Sequence, residues 1–391
     1  MRTKLLVLLL VVLLVLQAAG PAAATEFDFS SASQLLMDVG SKKILYENNA
    51  RERLFPASVT KIMTMLLAME ALEAGKVSLT DMIPVSEEAA AHGGSQIFLS
   101  PGDRVSFEDL MIGIVVGSAN DGAWAMAEYL AGSAEAFVEQ MNAKAKELGM
   151  HDTHFVNPHG LHDENHYTTA YDIALMSLEL LKYPQVLEWA SIWMDEEFLK
   201  GKIKKAEGVY LSNSNNLVRF YEGADGLKTG YTTEAGNCIS ATAKRGNTRL
   251  LAVIMKAPGR PALFAEAREL LNWGFANYES VPIVKKGEVL ATVPVDKGTK
   301  TRVKILAGDD LALLVEKGTG TDFVRELQLS ERLPAPLSAG QAVGSLVVKS
   351  QEGEELGRVE LVPASEIQRA SLLTIYKRFV YQWLQPGKRI Y

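Results

Sequence analysis

Residues 55–75 read FPASVTKIMTMLLAMEALEAG, and the fold of the chain can be worked out from this stretch. Its apolar side chains recur every three or four residues, which is the spacing of one face of an α-helix. Gly75 ends the pattern, as glycine commonly does just past the last turn of a helix. We therefore expect a helix from Ser58 to about Ala74. The side chains that define its buried face are Ile62, Met65, Leu66, Met69 and Leu72.

The chain is extended before this helix and mainly helical after it. Two short extended runs, 34–39 and 43–47, flank Gly40-Ser41 and predict a β-hairpin. The middle of the chain is therefore expected to form a helical lobe. Periodic apolar residues predict its helices at 107–116, 121–130, 134–148 and 169–181.

Strands return after the helical lobe. Residues 226–231, 237–244 and 249–256 predict three strands, the last two joined by Gly246-Asn247, and 262–278 predict a closing helix. A hairpin at the start and strands at the end indicate one antiparallel sheet built from both ends of the domain. The predicted class is α+β, with the helical lobe inserted into an antiparallel sheet and the functional site at their junction.

The chain changes character near residues 279–282. From 281 to 363, short apolar runs alternate with glycine and proline, which is typical of a small all-β sandwich. We therefore expect a first domain at 26–278 and a β-sandwich domain at 281–363. The apolar runs are 289–295, 302–306, 311–315, 323–329, 345–348 and 359–362.

The first 24 residues have the three parts of a secretory signal peptide. Arg2 and Lys4 precede an unbroken apolar run at 5–16, and small residues follow at Ala22-Ala23-Ala24. The apolar run is shorter than the roughly 20 residues that span a bilayer, so cleavage after Ala24 is favoured over an uncleaved anchor. We expect the protein to be exported to the outer face of the cytoplasmic membrane.

The last segment, 365–391, combines an apolar stripe with basic residues. Apolar side chains between Ile367 and Leu384 fall mainly on one helical face. This combination is typical of a helix that lies in a membrane interface, so we expect peripheral attachment to a membrane surface. The basic residues are Lys377, Arg378, Lys388 and Arg389.

Charge and cysteine content exclude nucleic acid as a partner and a disulfide within the chain. A net charge of -7 from 40 basic and 47 acidic residues gives no basic surface for nucleic acid, which we exclude as a partner. Cys238 is the only cysteine, so no internal disulfide can stabilise the exported chain. Its apolar surroundings at 237–243 favour a buried structural thiol over a nucleophile.

Three short motifs carry candidate chemistry, and the first is Ser58-Val59-Thr60-Lys61. Positions i and i+3 share a helix face, so Lys61 is expected within reach of the Ser58 hydroxyl. Lys61 can act as the base if burial or a nearby cation such as Lys228 destabilises its ammonium form. Backbone N–H groups at the helix N-terminus favour an oxyanion beside Ser58. Taken alone, the same pattern fits a helix cap and a solvated lysine.

The second motif, Ser118-Ala119-Asn120, lies in the turn-rich break 117–122 between two predicted helices. Such a break can present side chains into a cleft, where Ser118 would relay a proton and Asn120 would hold a substrate amide. A competing match, Ser214-Asn215-Asn216, lies just before the third motif. We interpret that match as structural or as support for the site.

The third motif, Lys228-Thr229-Gly230, lies on the predicted strand 226–231. The positive charge of Lys228 and the hydroxyl of Thr229 fit a terminal carboxylate. Gly230 would let the substrate backbone approach closely. The backbone N–H of Tyr231 is a candidate to complete an oxyanion hole with that of Ser58.

The three motifs, their order and the phrases around them resemble the serine D-alanyl-D-alanine carboxypeptidases, which are low-molecular-mass penicillin-binding proteins. The phrases are FPAS at 55–58, NPHGL at 157–161 and DGLKTGYT at 225–232. The resemblance implies a β-lactamase/transpeptidase-like first domain. It also implies a peptidoglycan stem peptide ending in D-Ala-D-Ala as substrate, β-lactams as covalent inhibitors and no cofactor. The implied residues are Ser58 as nucleophile, Lys61 as general base, Ser118 and Asn120 in the second motif, and Lys228 and Thr229 as carboxylate binders.

Rival functions on the same residues remain open. A β-lactamase is disfavoured because Ala119 replaces the aspartate of the class A motif and no Glu-x-x-x-Asn follows it. A D,D-endopeptidase or transpeptidase would use the same nucleophile. A non-catalytic peptidoglycan-binding scaffold is disfavoured because all three motifs are intact.

A zinc peptidase is the remaining rival of different chemistry. His159, His162 and His166 lie close together in sequence with two acidic residues between them. Their spacing does not match a helical His-Glu-x-x-His site, and the segment is typical of a loop. We therefore expect no metal, and a surface loop that frames the substrate cleft.

Overall fold

The computed structural model describes residues 27–318 and 322–384, so the predicted signal segment 1–24 lies outside the described residues. The helices are α1 (Lys61–Glu73), α2 (Glu87–Ala91), α3 (Phe107–Val116), α4 (Asn120–Ala131), α5 (Ala134–Glu147), α6 (Ala170–Leu180), α7 (Pro184–Ala190), α8 (Leu217–Phe220), α9 (Arg260–Asn277) and α10 (Leu372–Leu384). The strands of the first domain are β1 (Ser33–Asp38), β2 (Ile44–Asn48), β3 (Met82–Pro84), β4 (Arg104–Ser106), β5 (Met194–Phe198), β6 (Val209–Ser212), β7 (Ala224–Thr232), β8 (Gly236–Arg245) and β9 (Thr248–Ala257). The later strands are β10 (Tyr278–Val284), β11 (Val289–Asp296), β12 (Arg302–Ala307), β13 (Leu311–Glu316), β14 (Val324–Leu329), β15 (Leu333–Pro334), β16 (Gly344–Lys349) and β17 (Glu355–Pro363).

The first domain is built on a five-stranded sheet with the order β2-β1-β9-β8-β7. All its neighbouring strands run antiparallel, and β1 and β2 form the predicted hairpin. Strand β9, from the end of the domain, pairs with β1 from its beginning. The sheet is therefore built from both ends of the domain, as expected. Consecutive residues of β1 are all buried, which means that both faces of the sheet are covered at this strand.

Helix α1 is buried more widely than the single face that the sequence predicts. Met63 and Ala68 lie off the predicted face, yet each is 0% exposed. The reason is that α1 contacts α3, α4 and α6 as well as β7, so it is surrounded by the helical lobe and the sheet. This packing fixes the N-terminal end of α1, where Lys61 lies.

Strand β7 is an edge strand of this sheet, and it contacts the turn Ala57–Thr60 that precedes α1. Two side chains anchor its first half. Arg249 forms a bidentate pair with Asp225 at 2.7 and 2.8 Å, and Asn215 Nδ2 donates to the carbonyl oxygen of Gly226 at 2.9 Å. The third motif is thereby held beside the first.

The second domain is all β, as the sequence predicts. Its six-stranded sheet has the order β14-β16-β17-β12-β11-β15, and β10 pairs with β13. Ile305, Val348 and Leu361 are each 0% exposed within its own apolar core. Together with the sheet and helical lobe of the first domain, this arrangement confirms the predicted α+β class.

The two domains are connected by continuous chain and by direct hydrogen bonds. Helix α9 ends at Asn277, and β10 begins at the next residue. Ser280 Oγ donates to Asp38 Oδ1 at 3.0 Å, and its backbone N–H donates to Thr248 Oγ1 at 2.8 Å. Lys317 Nζ from the second domain donates to the carbonyl oxygen of Phe275 at 2.6 Å.

The C-terminal helix is shorter than predicted. Helix α10 begins at Leu372, so the expectation of a helix from residue 365 is wrong for 365–371. In that segment Ile367 is 1% exposed and pairs with Leu337 of the second domain. Burial of Ile367 against the β domain holds this segment as irregular chain rather than as the start of the helix.

One of the four basic residues predicted around α10, Arg378, contacts the protein itself. Arg378 does not point freely away from the protein, because its guanidinium donates to the carbonyl oxygens of Gly298 at 2.8 Å and Thr299 at 2.7 Å. Lys377 is exposed. Lys388 and Arg389 lie outside the described residues. Among residues 27–318 and 322–384, no helix has the length and apolar content needed to cross a membrane.

Candidate active site

Ser58 lies in a short 3₁₀ turn, Ala57–Thr60, that leads directly into α1. The predicted start of a helix at Ser58 is thus correct to within one turn. Val59 and Thr60 are each 0% exposed, so packing fixes the backbone on the C-terminal side of the hydroxyl. The Ser58 side chain itself remains partly exposed.

Lys61 connects the first two motifs. It is 0% exposed, and its Nζ lies 3.1 Å from Ser58 Oγ, as the i, i+3 spacing predicts. The same Nζ donates to Asn120 Oδ1 at 2.6 Å and to the carbonyl oxygen of His159 at 2.7 Å. One amine therefore contacts the candidate nucleophile, the second motif and the loop that follows α5.

The surroundings of Lys61 favour its uncharged form. Burial lowers the pKa of Lys61 well below its ordinary value, and the nearby cation of Lys228 lowers it further. Asp121 acts in the opposite direction but is the smallest of the three influences. The sequence anticipated both causes of the lowered pKa.

The hydrogen bonds of Lys61 determine where its lone pair points. A neutral amine has two N–H groups and one lone pair. Asn120 Oδ1 and the His159 carbonyl oxygen can only accept, so the two shorter contacts use both N–H groups. The lone pair is left for the Ser58 hydroxyl, which can then donate its proton to the amine. This is the geometry that a general base requires.

Ser118 and Asn120 lie where α3 ends and α4 begins. Ser118 is 6% exposed and has a φ of 60°, a left-handed conformation that is uncommon outside glycine and often found at functional sites. Asn120 Nδ2 donates to the carbonyl oxygen of Gly93 at 2.7 Å, which fixes the orientation of its amide.

Asp121 is a structural residue of the site that sequence reasoning missed. Its carboxylate is 0% exposed and accepts the backbone N–H groups of Ile97 at 3.2 Å and Leu99 at 3.0 Å. These bonds attach the segment 92–100 to the N-terminus of α4. The only sequence signal was its place directly after the second motif.

Lys228 and Thr229 lie in the middle of β7 and are 1% and 6% exposed. Lys228 Nζ donates to the carbonyl oxygen of Thr229 at 3.0 Å. Burial lowers the pKa of Lys228 to about 7, so an anion in the cleft would readily stabilise its charged form. Tyr231 follows at the end of the motif with 63% of its surface exposed.

Gly230 is also required for a reason that the sequence did not suggest. A Cβ at this position would lie 2.8 Å from the backbone nitrogen of Ser58 and 2.9 Å from the carbonyl oxygen of Pro56. The close approach at Gly230 is therefore between β7 and the turn Ala57–Thr60, which carries the candidate nucleophile. Any side chain here would separate the first motif from the third.

Cys238 lies opposite Gly230 in the neighbouring strand β8. It is 0% exposed, and burial raises the pKa of its thiol to about 11. A protonated, buried thiol of this kind fits the structural role that the sequence favours.

The loop 157–166 packs against the turn Ala57–Thr60, a contact that the sequence did not predict. Thr60 Oγ1 and His166 Nε2 are 2.8 Å apart. Gly160 has a φ of 88°, and a Cβ there would lie 1.9 Å from the carbonyl oxygen of Ala57. Only glycine fits this position, so the phrase NPHGL is explained by contact with the turn.

The histidines of this loop serve packing. His159 and His166 are 3% and 2% exposed, so the expected surface loop is correct only for its middle part. Burial lowers the pKa of His159 to about 2 and that of His166 to about 3. His162 packs edge-on against Phe55 with ring centroids 4.7 Å apart. Within the part of the chain that the structure describes, no three or more His, Cys, Asp or Glu side chains are grouped to hold a metal ion.

The competing match Ser214-Asn215-Asn216 contacts the third motif. Ser214 Oγ lies 2.6 Å from Thr229 Oγ1, and Asn215 bonds to Gly226 at the start of β7. These contacts agree with the interpretation of this segment as support for the site. The three motifs thus bring together a hydroxyl, a buried amine and a cationic edge strand, which is the equipment for acyl transfer to serine.

Comparisons with known proteins give one consistent result. The profile of a family described as D-alanyl-D-alanine carboxypeptidase matches residues 19–259. A second profile, described as penicillin-binding protein 5, C-terminal domain, matches residues 278–369. The two matches fall on the helical-lobe domain and on the all-β domain.

Individual relatives are similar over most of their length. The chain is 40% identical over 360 residues to the D-alanyl-D-alanine carboxypeptidase DacF of Bacillus subtilis (strain 168), which covers 92% of this chain and 91% of that protein. It is 39% identical over 319 residues to DacC of Escherichia coli (strain K12), covering 80% and 78%. The solved structure of penicillin binding protein 5 from Haemophilus influenzae superposes with a TM-score of 0.72 at 31% identity, covering 89% of this chain and 100% of that one.

Proposed function

Because the chain belongs to the family of serine D-alanyl-D-alanine carboxypeptidases, we propose that Ser58 is the nucleophile with which it removes the terminal D-alanine of peptidoglycan pentapeptide stems. The observation that carries this assignment is the 3.1 Å contact between Ser58 Oγ and the fully buried Nζ of Lys61. A buried amine with a lowered pKa is the group in this site best suited to take the serine proton.

Acylation begins when Ser58 Oγ attacks the carbonyl carbon between the two terminal D-alanines. The hydroxyl proton passes to Lys61 Nζ, and a C–O bond forms as the carbonyl becomes an oxyanion. When the tetrahedral intermediate collapses, the C–N bond breaks and the leaving amine takes a proton from the Lys61 ammonium. Ser118 would relay this proton between the two nitrogens. D-Alanine departs and an ester on Ser58 remains.

The oxyanion is stabilised by backbone N–H groups. Ser58 lies at the N-terminal end of the turn that continues into α1, and Tyr231 lies on the edge strand β7. The near-contact at Gly230 brings these two backbones together. We assign the N–H groups of Ser58 and Tyr231 to the oxyanion hole.

Deacylation reverses the same steps with water as the nucleophile. Lys61 is again the base, because it is the buried amine beside the ester oxygen. A β-lactam would acylate Ser58 by the same attack, since its ring amide takes the place of the scissile peptide. Release of the penicilloyl group is expected to be slow.

Recognition of the terminal carboxylate is assigned to the third motif. Lys228 supplies the charge and Thr229 supplies a hydroxyl donor. A charge-assisted hydrogen bond in a partly desolvated cleft is stronger than a neutral one. This pair would distinguish a free C-terminus from an internal peptide bond, which favours carboxypeptidase over endopeptidase activity.

The site assignment is tested by release of free D-alanine from a pentapeptide that ends in D-Ala-D-Ala. Ser58→Ala should lower kcat by at least roughly 10³-fold, because the covalent step is lost. The matched control is Ser338→Ala in the second domain, at an exposed serine, which should leave the rate unchanged. Substantial release by a folded Ser58→Ala protein would reject Ser58 as the nucleophile.

Export and membrane attachment complete the proposal. The segment 1–24 would direct secretion, and α10 would then rest on the outer face of the membrane. Several large apolar side chains of α10 are exposed, which supports an interfacial role. They are Leu372 at 86%, Leu373 at 62%, Tyr376 at 65%, Phe379 at 67% and Leu384 at 66%.

A further inference from the structure

Ser214 is placed against the third motif by a hydroxyl contact that the reaction scheme above does not use. Its Oγ lies 2.6 Å from Thr229 Oγ1. Thr229 is itself largely buried, at 6% exposed. Among the described residues, this is the one hydrogen bond that the Ser214 hydroxyl forms.

The segment that carries Ser214 is fixed on both sides. Asn213 Nδ2 donates to the carbonyl oxygens of Ala190 and Ile192, both at 2.8 Å. Asn215 donates its side chain to Gly226 at 2.9 Å and its backbone N–H to Asn213 Oδ1 at 2.9 Å. Ser214 therefore sits between two anchored asparagines, which hold its backbone close to Thr229.

A third anchor comes from helix α9. Arg260, the first residue of that helix, donates Nη2 to the carbonyl oxygen of Ser214 at 2.9 Å. The backbone of Ser214 is thus also held by a residue that is distant in the sequence. Asn213, Asn215 and Arg260 therefore hold the backbone that places Ser214 beside Thr229.

Either hydroxyl can donate in this contact, and counting protons shows what each direction would allow. A hydroxyl group has one proton to donate. If Thr229 donates to Ser214, none is left for a substrate carboxylate, which can only accept. If Ser214 donates to Thr229, the Thr229 proton is free to point into the cleft, and the two bonds strengthen each other.

Resting on the proposed role of Thr229, we propose that Ser214 is a positioning residue that directs the Thr229 hydroxyl proton toward the terminal carboxylate of the substrate. Ser214 contributes to specificity for a free C-terminus without touching the scissile bond. The alternative is that Ser214 only braces β7. A brace would affect every substrate equally, whereas a positioning hydroxyl affects substrates that carry the carboxylate.

The test compares a D-Ala-D-Ala pentapeptide with its C-terminal amide. Ser214→Ala should lower kcat/KM on the free acid by roughly 3- to 15-fold, the value of one neutral hydrogen bond, and leave the amide within about twofold. Ser214→Thr keeps the hydroxyl and should retain the acid preference. Ser214→Val places a side chain of the same shape as threonine but without the hydroxyl, and it should lose the acid preference. The matched control is Ser212→Ala, at an exposed serine two residues earlier on β6.

A double-mutant cycle separates this proposal from the assignment of Thr229. In a Thr229→Ala background, Ser214→Ala should change kcat/KM on the acid by less than about twofold, because its partner is gone. If Thr229→Ala itself leaves the acid-to-amide ratio unchanged, the carboxylate site is misassigned. The positioning role is overturned in either of two cases, provided that Thr229→Ala lowers that ratio. In the first, Ser214→Val lowers kcat/KM equally on the acid and the amide. In the second, Ser214→Val and Ser214→Thr have the same acid-to-amide ratio. Thermal unfolding of each variant confirms that the compared proteins are folded.

Discussion

The amine of Lys61 depends on contacts of very different range along the chain. Its distance to Ser58 follows from helical spacing and could be predicted from the sequence. Its bonds to Asn120 and to the carbonyl oxygen of His159 span 59 and 98 residues, so no local pattern could reveal them. Those distant acceptors are what direct the lone pair at the hydroxyl of Ser58.

Lys228 offers a residue-level prediction about charge. Lys228→Ala should reduce kcat/KM for a D-Ala-D-Ala peptide by roughly 10² to 10³, because a charge-assisted bond to the carboxylate is lost. At a pH above the rising limb that Lys61 sets, the amidated peptide should already be poor, and the mutation should change it little. Lys244→Ala, at an exposed lysine on β8, is the control and should leave both substrates unaffected. An equal fall on acid and amide would leave Lys228 as an electrostatic partner of Lys61 only.

The same residue gives the reaction a pH dependence of defined sign. The pKa of Lys228 is lowered by burial to about 7, so the free enzyme loses this positive charge as the pH rises through that value. The acid peptide should therefore show a falling limb of kcat/KM there, and the amide should not. Lys228→Ala removes a cation that lowers the pKa of Lys61, so the rising limb should move to higher pH on both substrates. A rising limb at the same pH in Lys228→Ala and in the unmodified protein would contradict the coupling of the two lysines.

At the level of elements, the site depends on contacts between segments that lie far apart in the sequence. The turn Ala57–Thr60 is held by loop 157–166 on one side and by β7 on the other. Gly160 and Gly230 permit these two approaches, since a Cβ at either position would collide with the turn. A sequence pattern identifies such glycines as special, but it cannot say which backbone they face.

Helix α10 carries the prediction that belongs to this scale. On a chain that lacks residues 1–24, Leu373→Ser combined with Phe379→Ser should lower partition onto anionic vesicles by at least roughly tenfold, because two exposed apolar side chains are removed from the interface. Leu356→Ser is the control, since Leu356 is also exposed, at 42%, but lies on β17. Vesicle co-sedimentation measures the partition. Equal binding by the double variant and the unmodified chain would exclude α10 as the contact.

For the whole molecule, the order of elements along the chain was sufficient to predict the class. The helical lobe lies between the hairpin and the last strands of the first domain in sequence. These strands were therefore expected to pair in one sheet with the lobe inserted, and β1 does pair with β9. The short strands β3 to β6 were not predicted, because three to five residues carry too little periodicity. The start of α10 was misplaced because burial of Ile367 against the second domain is a long-range contact.

The central claim is that one serine, activated by a buried lysine, forms the acyl-enzyme. Its most direct test is to react the protein with fluorescent penicillin and to map the adduct by mass spectrometry of proteolytic peptides. A single penicilloyl group should lie on Ser58, and Ser58→Ala should abolish labelling while its thermal unfolding remains cooperative. An adduct on Ser118 or Ser214, or persistent labelling of the folded Ser58→Ala protein, would contradict the assignment.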